Sequence, residues 1–152
     1  MSRAERAKEY FKQGFACSQA VALAFSDVIG IEEAIIKKLT LPFGGGLGRL
    51  RLTCGAVSGM AIVIGAVFSA EENSPENKKQ VYAVTQELCD AFKKKNGSLL
   101  CEELLTGANI NVEKGGVAEK RTDEYYKKRP CAEIVYCVAD ILEKYLMKER
   151  KL

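Results

Sequence analysis

The feature that most constrains this fold is a run of nineteen residues without a charged side chain, Leu52–Ala70. A run of this length must be buried, either in a lipid bilayer or in the core of a helical protein. Thr53, Ser58, Ser69 and three glycines dilute its hydrophobicity, and the chain contains no second run of this kind. We therefore expect a central core helix over Cys54–Ala70 and no membrane association.

Small side chains on this helix predict close packing against a neighbour. Gly55 begins a Gly-x-x-x-Gly spacing, and Cys54, Ser58, Ala61 and Gly65 share one narrow face at 100° per residue. Another helix or a cofactor can approach such a face closely. The same faces are compatible with a homodimer.

Capping residues and apolar periodicity predict further helices around the central one. No stretch alternates with period two, so we expect no sheet. The fold class expected is all-α, a compact bundle of about six or seven helices forming a single domain over residues 1–152. The predicted helices begin at Ser2 and end before Gly14, then cover Ala16–Ile29, Glu32–Leu39, Pro75–Lys95, Ser98–Leu105 and Pro130–Lys148.

Two segments between these helices are predicted to be loops. The polar stretch Thr106–Arg129 is expected to be a long loop with one helical turn around Ala118–Tyr125. The glycine-rich run from Gly44 to Gly48 follows no predicted strand and lacks the Gly-Lys-Ser/Thr ending of a phosphate-binding loop. We interpret it as a tight passage between helices that lets a ligand approach the backbone near Cys54.

The charge balance does not favour a nucleic-acid partner, because the formal net charge is only +3. The basic runs Lys93–Lys95 and Lys148–Lys151 fall at predicted helix ends, where the helix dipole favours cations. The first ten residues are charged and contain no apolar signal segment. We therefore expect a cytoplasmic protein, in which thiols are normally kept reduced.

Six cysteines and no histidine set the available chemistry. The absence of histidine excludes a Ser-His-Asp triad, a Cys-His nucleophile pair and a histidine-ligated zinc. It also excludes a c-type haem ligated by its own CxxCH histidine, so no c-type haem is expected. Thiols, carboxylates, amines and backbone groups remain.

Four of the cysteines stand near the beginnings of predicted helices, where free N–H groups and the helix dipole favour the thiolate. Thiolates attack disulfides and bind metals. Helices of a bundle bring their ends together, so we expect at least three of these thiols to converge. These candidate catalytic and metal-ligating residues are Cys17, Cys54, Cys101 and Cys131.

Neighbouring charges predict different acidities for these thiols. Arg49 and Arg51 precede Cys54, which we expect to be the most acidic if it is accessible to solvent. Two glutamates follow Cys101, which we expect to be the least acidic of the four. The remaining two cysteines, Cys89 and Cys137, lie within helices and are expected to be inert core residues.

The cysteine spacing leaves the chemistry open. The two closest cysteines, Cys131 and Cys137, are six apart, unlike the C-x₂₋₄-C pairs of zinc sites, and no C-x-x-C pair is present. Dithiol–disulfide exchange, an iron–sulfur cluster or another thiolate-bound metal all remain open, with an unknown electron or thiol partner. A helical interaction module with inert buried cysteines is the alternative from another class.

Nearly the whole chain resembles the family of redox-active proteins named for the pattern C…GCAxxG…C…C. The resemblance implies a helical protein that handles electrons or binds a metal centre through Cys17, Cys54, Cys101 and Cys131, with the other two cysteines outside the pattern. One departure is that Cys54 precedes Gly55 here, whereas the family's name places the glycine first. The matching segments are Gly14-Phe-Ala-Cys-Ser-Gln-Ala-Val21, Phe43-Gly-Gly-Gly-Leu-Gly48, Cys54-Gly-Ala-Val-Ser-Gly59, Asn96-Gly-Ser-Leu-Leu-Cys101 and Arg129-Pro-Cys131.

Overall fold

A computed structural model describes residues 1–152 as nine α-helices without a strand. The one β-type contact is an isolated antiparallel bridge between Thr53 and Leu100. The all-α prediction is therefore confirmed. The helices are α1 (Arg3–Lys12), α2 (Cys17–Ala24), α3 (Ser26–Ile29), α4 (Glu33–Thr40), α5 (Gly55–Phe68), α6 (Pro75–Asn96), α7 (Cys101–Gly107), α8 (Asp123–Lys128) and α9 (Cys131–Lys148).

Local sequence determines where several of these helices begin and end. At the start of α1, Ser2 and Glu5 form the expected capping box, with Glu5 N–H donating to Ser2 Oγ at 3.1 Å. The Ser74 hydroxyl accepts from Asn77 N–H at the start of α6, and Gly97 ends that helix in the left-handed conformation. These ends need no tertiary contact to be specified.

The core is built around α5, which contacts α2, α6 and α9 as expected for the central helix. Close approach occurs at Gly59, because an added Cβ would lie 2.8 Å from Ser18 O and 3.1 Å from Val21 Cβ of α2. Gly59 is the second glycine of the Gly-x-x-x-Gly spacing, whereas Ser58 and Gly65, on the narrow face shared with Cys54, are only half-buried. The most extensive contact between any two helices joins α1 to α9.

Two elements differ from the sequence prediction. The predicted helix Ala16–Ile29 is interrupted at Phe25, whose ring is fully buried beneath the Arg3 guanidinium. Arg3 Nη1 donates to Ala24 O at 2.9 Å and so satisfies a carbonyl freed by the break. The single turn expected around residues 118–125 forms later, as α8, where the Thr122 hydroxyl caps it by accepting from Tyr125 N–H.

The segment after α4 has an unusual backbone. A 3₁₀ turn at Leu41–Phe43 leads into Gly44–Leu47, which a regular α-helix does not describe. Five consecutive residues, 45–49, have positive φ angles between 55° and 72°, and Arg51 has a φ of 62°. Residues other than glycine rarely adopt this backbone conformation, so tertiary contacts must hold Leu47, Arg49 and Arg51 in place. We call residues 44–52 the glycine loop.

No helix is both long enough and hydrophobic enough to span a membrane. The uncharged run instead forms the fourteen-residue α5 with short extensions at both ends.

Candidate functional site

Four helix beginnings meet at one cavity and bring four thiols together. Cys17, Cys101 and Cys131 are the first residues of α2, α7 and α9, and Cys54 directly precedes α5. All four line one cavity of about 40 Å³, which we call the thiol cavity. The convergence expected for at least three of them thus includes all four. Its other lining residues are Gly45, Arg51, Gly55, Leu104, Leu105 and Ile134.

Backbone pairing fixes two of the thiols relative to each other. Cys54 N–H donates to Leu99 O at 2.8 Å, and Cys101 N–H donates to Leu52 O at 2.7 Å. The isolated bridge between Thr53 and Leu100 lies between these bonds. The beginnings of α5 and α7 are therefore joined side by side, although forty-seven positions separate their cysteines in the sequence.

Glycines make room for the sulfur atoms. A Cβ added at Gly55 would lie 2.5 Å from Cys17 Sγ and 2.9 Å from Phe43 O. One added at Gly46 would lie 2.7 Å from Cys101 Cβ. Any larger residue at either position would therefore displace a cysteine or the backbone beside it.

Cys17 interacts with each of the other three thiols. When two of these sulfur atoms are ionised, their like charges repel, and this repulsion raises the pKa. Burial raises the pKa of Cys17, while the backbone N–H groups of Gly45 and Ser18 oppose the rise. Arg121 also lowers this pKa through its positive charge. Cys131 likewise interacts with the other three thiols, so ionisation of either residue opposes ionisation of its neighbours.

The thiol expected to be the most acidic lies where water does not reach it. Cys54 is only 6% exposed, and burial raises its pKa well above the ordinary value despite the opposing N–H groups of Val57 and Ala56. The condition attached to the prediction for Cys54, access to solvent, is therefore not met, and desolvation outweighs the effect of the helix terminus on its pKa. Burial likewise raises the pKa of Cys131 to about 12, and the Arg129 charge only partly offsets it.

The arginine expected beside Cys54 instead contacts Cys101. Arg51 Nη1 donates to Cys101 Sγ at 3.7 Å, and Arg51 Nε donates to Glu113 O at 2.9 Å. Arg51 is 6% exposed and forms no ion pair with a carboxylate, so Cys101 Sγ is the side-chain acceptor in contact with its guanidinium. Of the two glutamates that follow Cys101, Glu102 is exposed and pairs with Lys114 at 3.3 Å.

A further arginine at the site had no sequence signal, because it lies in the polar stretch expected to be a loop. Arg121 stacks on the Phe11 ring, with Cζ 4.3 Å from the ring centroid. Its guanidinium donates to Phe11 O at 3.0 Å and to Phe15 O at 3.1 Å. These contacts hold a positive charge near Cys17 and Cys131, whose pKa values it lowers.

Comparison with known proteins decides the family. The model of the family described as "Putative redox-active protein (C_GCAxxG_C_C)" matches residues 15–145. The chain belongs to this family. No curated protein and no solved structure matches the chain. The family model covers all four cysteines of the thiol cavity and the glycine loop.

The order Cys54-Gly55 in this member of the redox-active family has a structural reason. Gly55 is the first residue of α5 and faces Cys17 Sγ, so a side chain at this position would fill the place of the sulfur. The residue after Cys54 therefore has to be small for the two thiols to share one cavity.

The thiols of this family member do not form a metal-ligand set as arranged. No group of three or more Cys, Asp or Glu side chains lies close enough together to hold a metal ion. Thiolate ligands surround zinc with each sulfur about 2.3 Å from the metal. The four cysteines share a cavity, but as arranged they do not form a group that could hold a metal ion. Cys89 and Cys137 do not line the thiol cavity.

Proposed function

We propose that the protein is a thiol–disulfide redox protein in which Cys17 and Cys101 are the exchanging pair. The observation that supports it is the convergence of four helix-start thiols on one cavity. Cys17 and Cys101 lie against consecutive residues, Gly45 and Gly46, and both are partly exposed. Arg51 adds a positive charge at Cys101, where negative charge develops during exchange.

The proposed reaction has two steps. Cys17 thiolate attacks one sulfur of a substrate disulfide, whose S–S bond breaks, and the departing thiolate takes up a proton. Cys101 then attacks the Cys17 sulfur of the mixed disulfide and releases the second substrate thiol. One disulfide is reduced to two thiols, while the two cysteine thiols become one protein disulfide. Burial raises the pKa of Cys17 as well as those of Cys54 and Cys131, but at Cys17 the backbone N–H groups of Gly45 and Ser18 and the charge of Arg121 oppose the rise.

The test is the reaction of the reduced protein with bis(2-hydroxyethyl) disulfide under anaerobic conditions, followed by peptide mapping. We expect two thiols to be lost per chain and a Cys17–Cys101 linkage. A Cys101→Ser variant should accumulate the mixed disulfide at Cys17. A Cys89→Ser variant, which changes a thiol outside the cavity, should react as the unaltered protein does.

Other outcomes would replace the proposal. Retention of all six thiols at equilibrium with excess disulfide would favour the inert helical module. A stoichiometric metal in anaerobically purified protein, with a visible spectrum lost on substitution of Cys17, would favour the metal-centre function instead.

A further inference from the structure

A second, larger cavity adjoins the thiol cavity. Its volume is about 310 Å³, and it shares Cys17, Gly45 and Arg51 with the thiol cavity. It is open to solvent, since Gly48 and Ala118 on its wall are exposed. This volume lies at the small end of the range of ligand pockets. Cys17 is the one cysteine on its wall, so a molecule bound there would meet that thiol first.

Three arginines line this cavity: Arg49, Arg51 and Arg121. None of them forms an ion pair with a carboxylate in the structure. Glu119 is the one acidic residue on the wall, and Arg129 already pairs with it at 2.7 Å. The cavity therefore carries uncompensated positive charge, which favours anions within its walls.

Two of these guanidinium groups are held in place, and one is free to bind. Arg121 is fixed by its stacking on Phe11 and by two backbone carbonyls, and Arg51 is fixed by Glu113 O. Arg49 is half-buried, and its side chain makes no hydrogen bond within the chain. The left-handed backbone of the glycine loop holds both Arg49 and Arg51 at the cavity.

We propose that this cavity binds small disulfides that carry carboxylate groups and presents one of their sulfur atoms to Cys17. The inference rests on the proposed exchange function and adds a substrate class to it. Arginine is suited to this task because its planar guanidinium can hold a carboxylate through two parallel hydrogen bonds. The sulfur chemistry and its electron balance are those of the two steps given above.

Three disulfides of nearly equal size test the charge preference: dithiodipropionate, bis(2-hydroxyethyl) disulfide and cystamine, which are anionic, neutral and cationic. Each rate of exchange with the reduced protein is divided by the rate of the same disulfide with mercaptoethanol, which removes differences in intrinsic reactivity. We expect the normalised rate for dithiodipropionate to exceed that for cystamine by roughly tenfold or more, and to fall with added salt.

A matched pair of variants locates the preference. Arg49→Gln should reduce the anionic-to-cationic rate ratio several-fold and change the rate with the neutral disulfide by a smaller factor. Arg6→Gln removes the same charge from an exposed site on α1 that does not line the cavity, and the ratio should be unchanged. Binding can also be measured without exchange, by calorimetry of dithiodipropionate with the Cys17→Ser variant. Adding Arg49→Gln to this variant should weaken its affinity for dithiodipropionate.

The outcomes separate the two proposals. Equal normalised rates for the three disulfides, with a Cys17–Cys101 disulfide still formed, would overturn the anionic-substrate inference and leave the exchange function standing. Failure of all three to oxidise the protein would overturn the exchange function. In that case, binding of dithiodipropionate to Cys17→Ser that depends on Arg49 would keep the anion site.

Discussion

At the scale of single residues, the site depends on where one arginine points. Arg51 is three positions from Cys54 in the sequence, yet its guanidinium contacts Cys101, and its backbone has a positive φ angle. The guanidinium is buried and contacts no carboxylate. A buried guanidinium is unfavourable unless its N–H groups are hydrogen-bonded, and Arg51 donates to Glu113 O and to Cys101 Sγ, which places its positive charge against that sulfur.

Substituting Arg51 by Gln should therefore slow alkylation at Cys101. We expect iodoacetamide to react there about three- to tenfold more slowly at pH 7.5, since loss of roughly 1 kcal/mol of charge stabilisation gives a change of this size. Mass spectrometry of the digested protein gives the rate at each cysteine, and Cys137 serves as the control within the same sample. An unchanged rate at Cys101 would show that the contact does not stabilise its thiolate.

At the scale of helices, α5 contains glycines in two different environments. Gly59 packs against the α2 backbone, whereas a Cβ at Gly65 would meet only Ser69 Oγ, at an ordinary 3.9 Å. Both positions are within the same helix, so the intrinsic gain from replacing glycine by alanine is similar, about 0.5–1 kcal/mol. Packing alone distinguishes them.

We expect Gly65→Ala to stabilise the protein by about 0.5 kcal/mol and Gly59→Ala to destabilise it by about 1–3 kcal/mol. The reason is that the added methyl group at position 59 would lie 2.8 Å from Ser18 O, a backbone atom that cannot move alone. Urea unfolding followed by circular dichroism measures both. Equal effects of the two substitutions would mean that α2 and α5 pack less closely than the structure shows.

Helix ends were predictable from the sequence because their determinants are local. The capping box at Ser2 and the cap at Ser74 each involve a few neighbouring residues, as does the positive φ of Gly97. The break at Phe25 was not predictable, since no glycine or proline marks it and Arg3, far along the chain, completes it. The convergence of the thiols followed from helix ends alone. The contact of Arg51 with Cys101 and the burial of Cys54 depend on tertiary packing, which the sequence pattern around these residues does not contain.

At the scale of the whole molecule, buried thiols make stability depend on alkaline pH. Burial raises the pKa of Cys131 from 9.0 to about 12, and it raises that of Cys54 in the same direction. Below pH 8 both thiols are protonated in the folded and the unfolded chain, so pH has no effect through them. Above pH 9 the unfolded chain loses these protons first, and the free energy of unfolding falls as pH rises.

We expect each such thiol to remove about 1.4 kcal/mol per pH unit above pH 9. Urea unfolding at pH 8, 9 and 10, with reductant present, should therefore show a shallower decline for Cys131→Ala than for the unaltered protein. The two proteins are compared by the slope of the free energy of unfolding against pH. The loss of stability caused by the alanine substitution is the same at each pH and does not change this slope. Identical slopes would show that Cys131 ionises as easily in the folded protein as in the unfolded one.

Oxidation of the proposed pair should act on the whole molecule as well. A Cys17–Cys101 disulfide would close a loop of roughly 85 residues and restrict the unfolded chain by about 4–5 kcal/mol in the loop-entropy account. We expect the oxidised protein to unfold at a higher urea concentration than the reduced protein. Oxidised Cys17→Ser, which cannot form this linkage, is the control and should show no such shift. A lower midpoint for the oxidised form would indicate that the linkage strains the helix ends it joins.

The packing of α1 against α9 has a consequence for how the chain is made. The ribosome synthesises the chain from its N-terminus. The packing of α1 against α9 can therefore form only after the residues of α9 have left the exit tunnel. Cys17, Cys54 and Cys101 are therefore all translated before the helix that carries Cys131 can close the pocket around them. Until then the thiol cavity lacks the wall that Cys131 and Ile134 supply, so Cys17, Cys54 and Cys101 are more accessible to oxidants in the growing chain than in the complete fold.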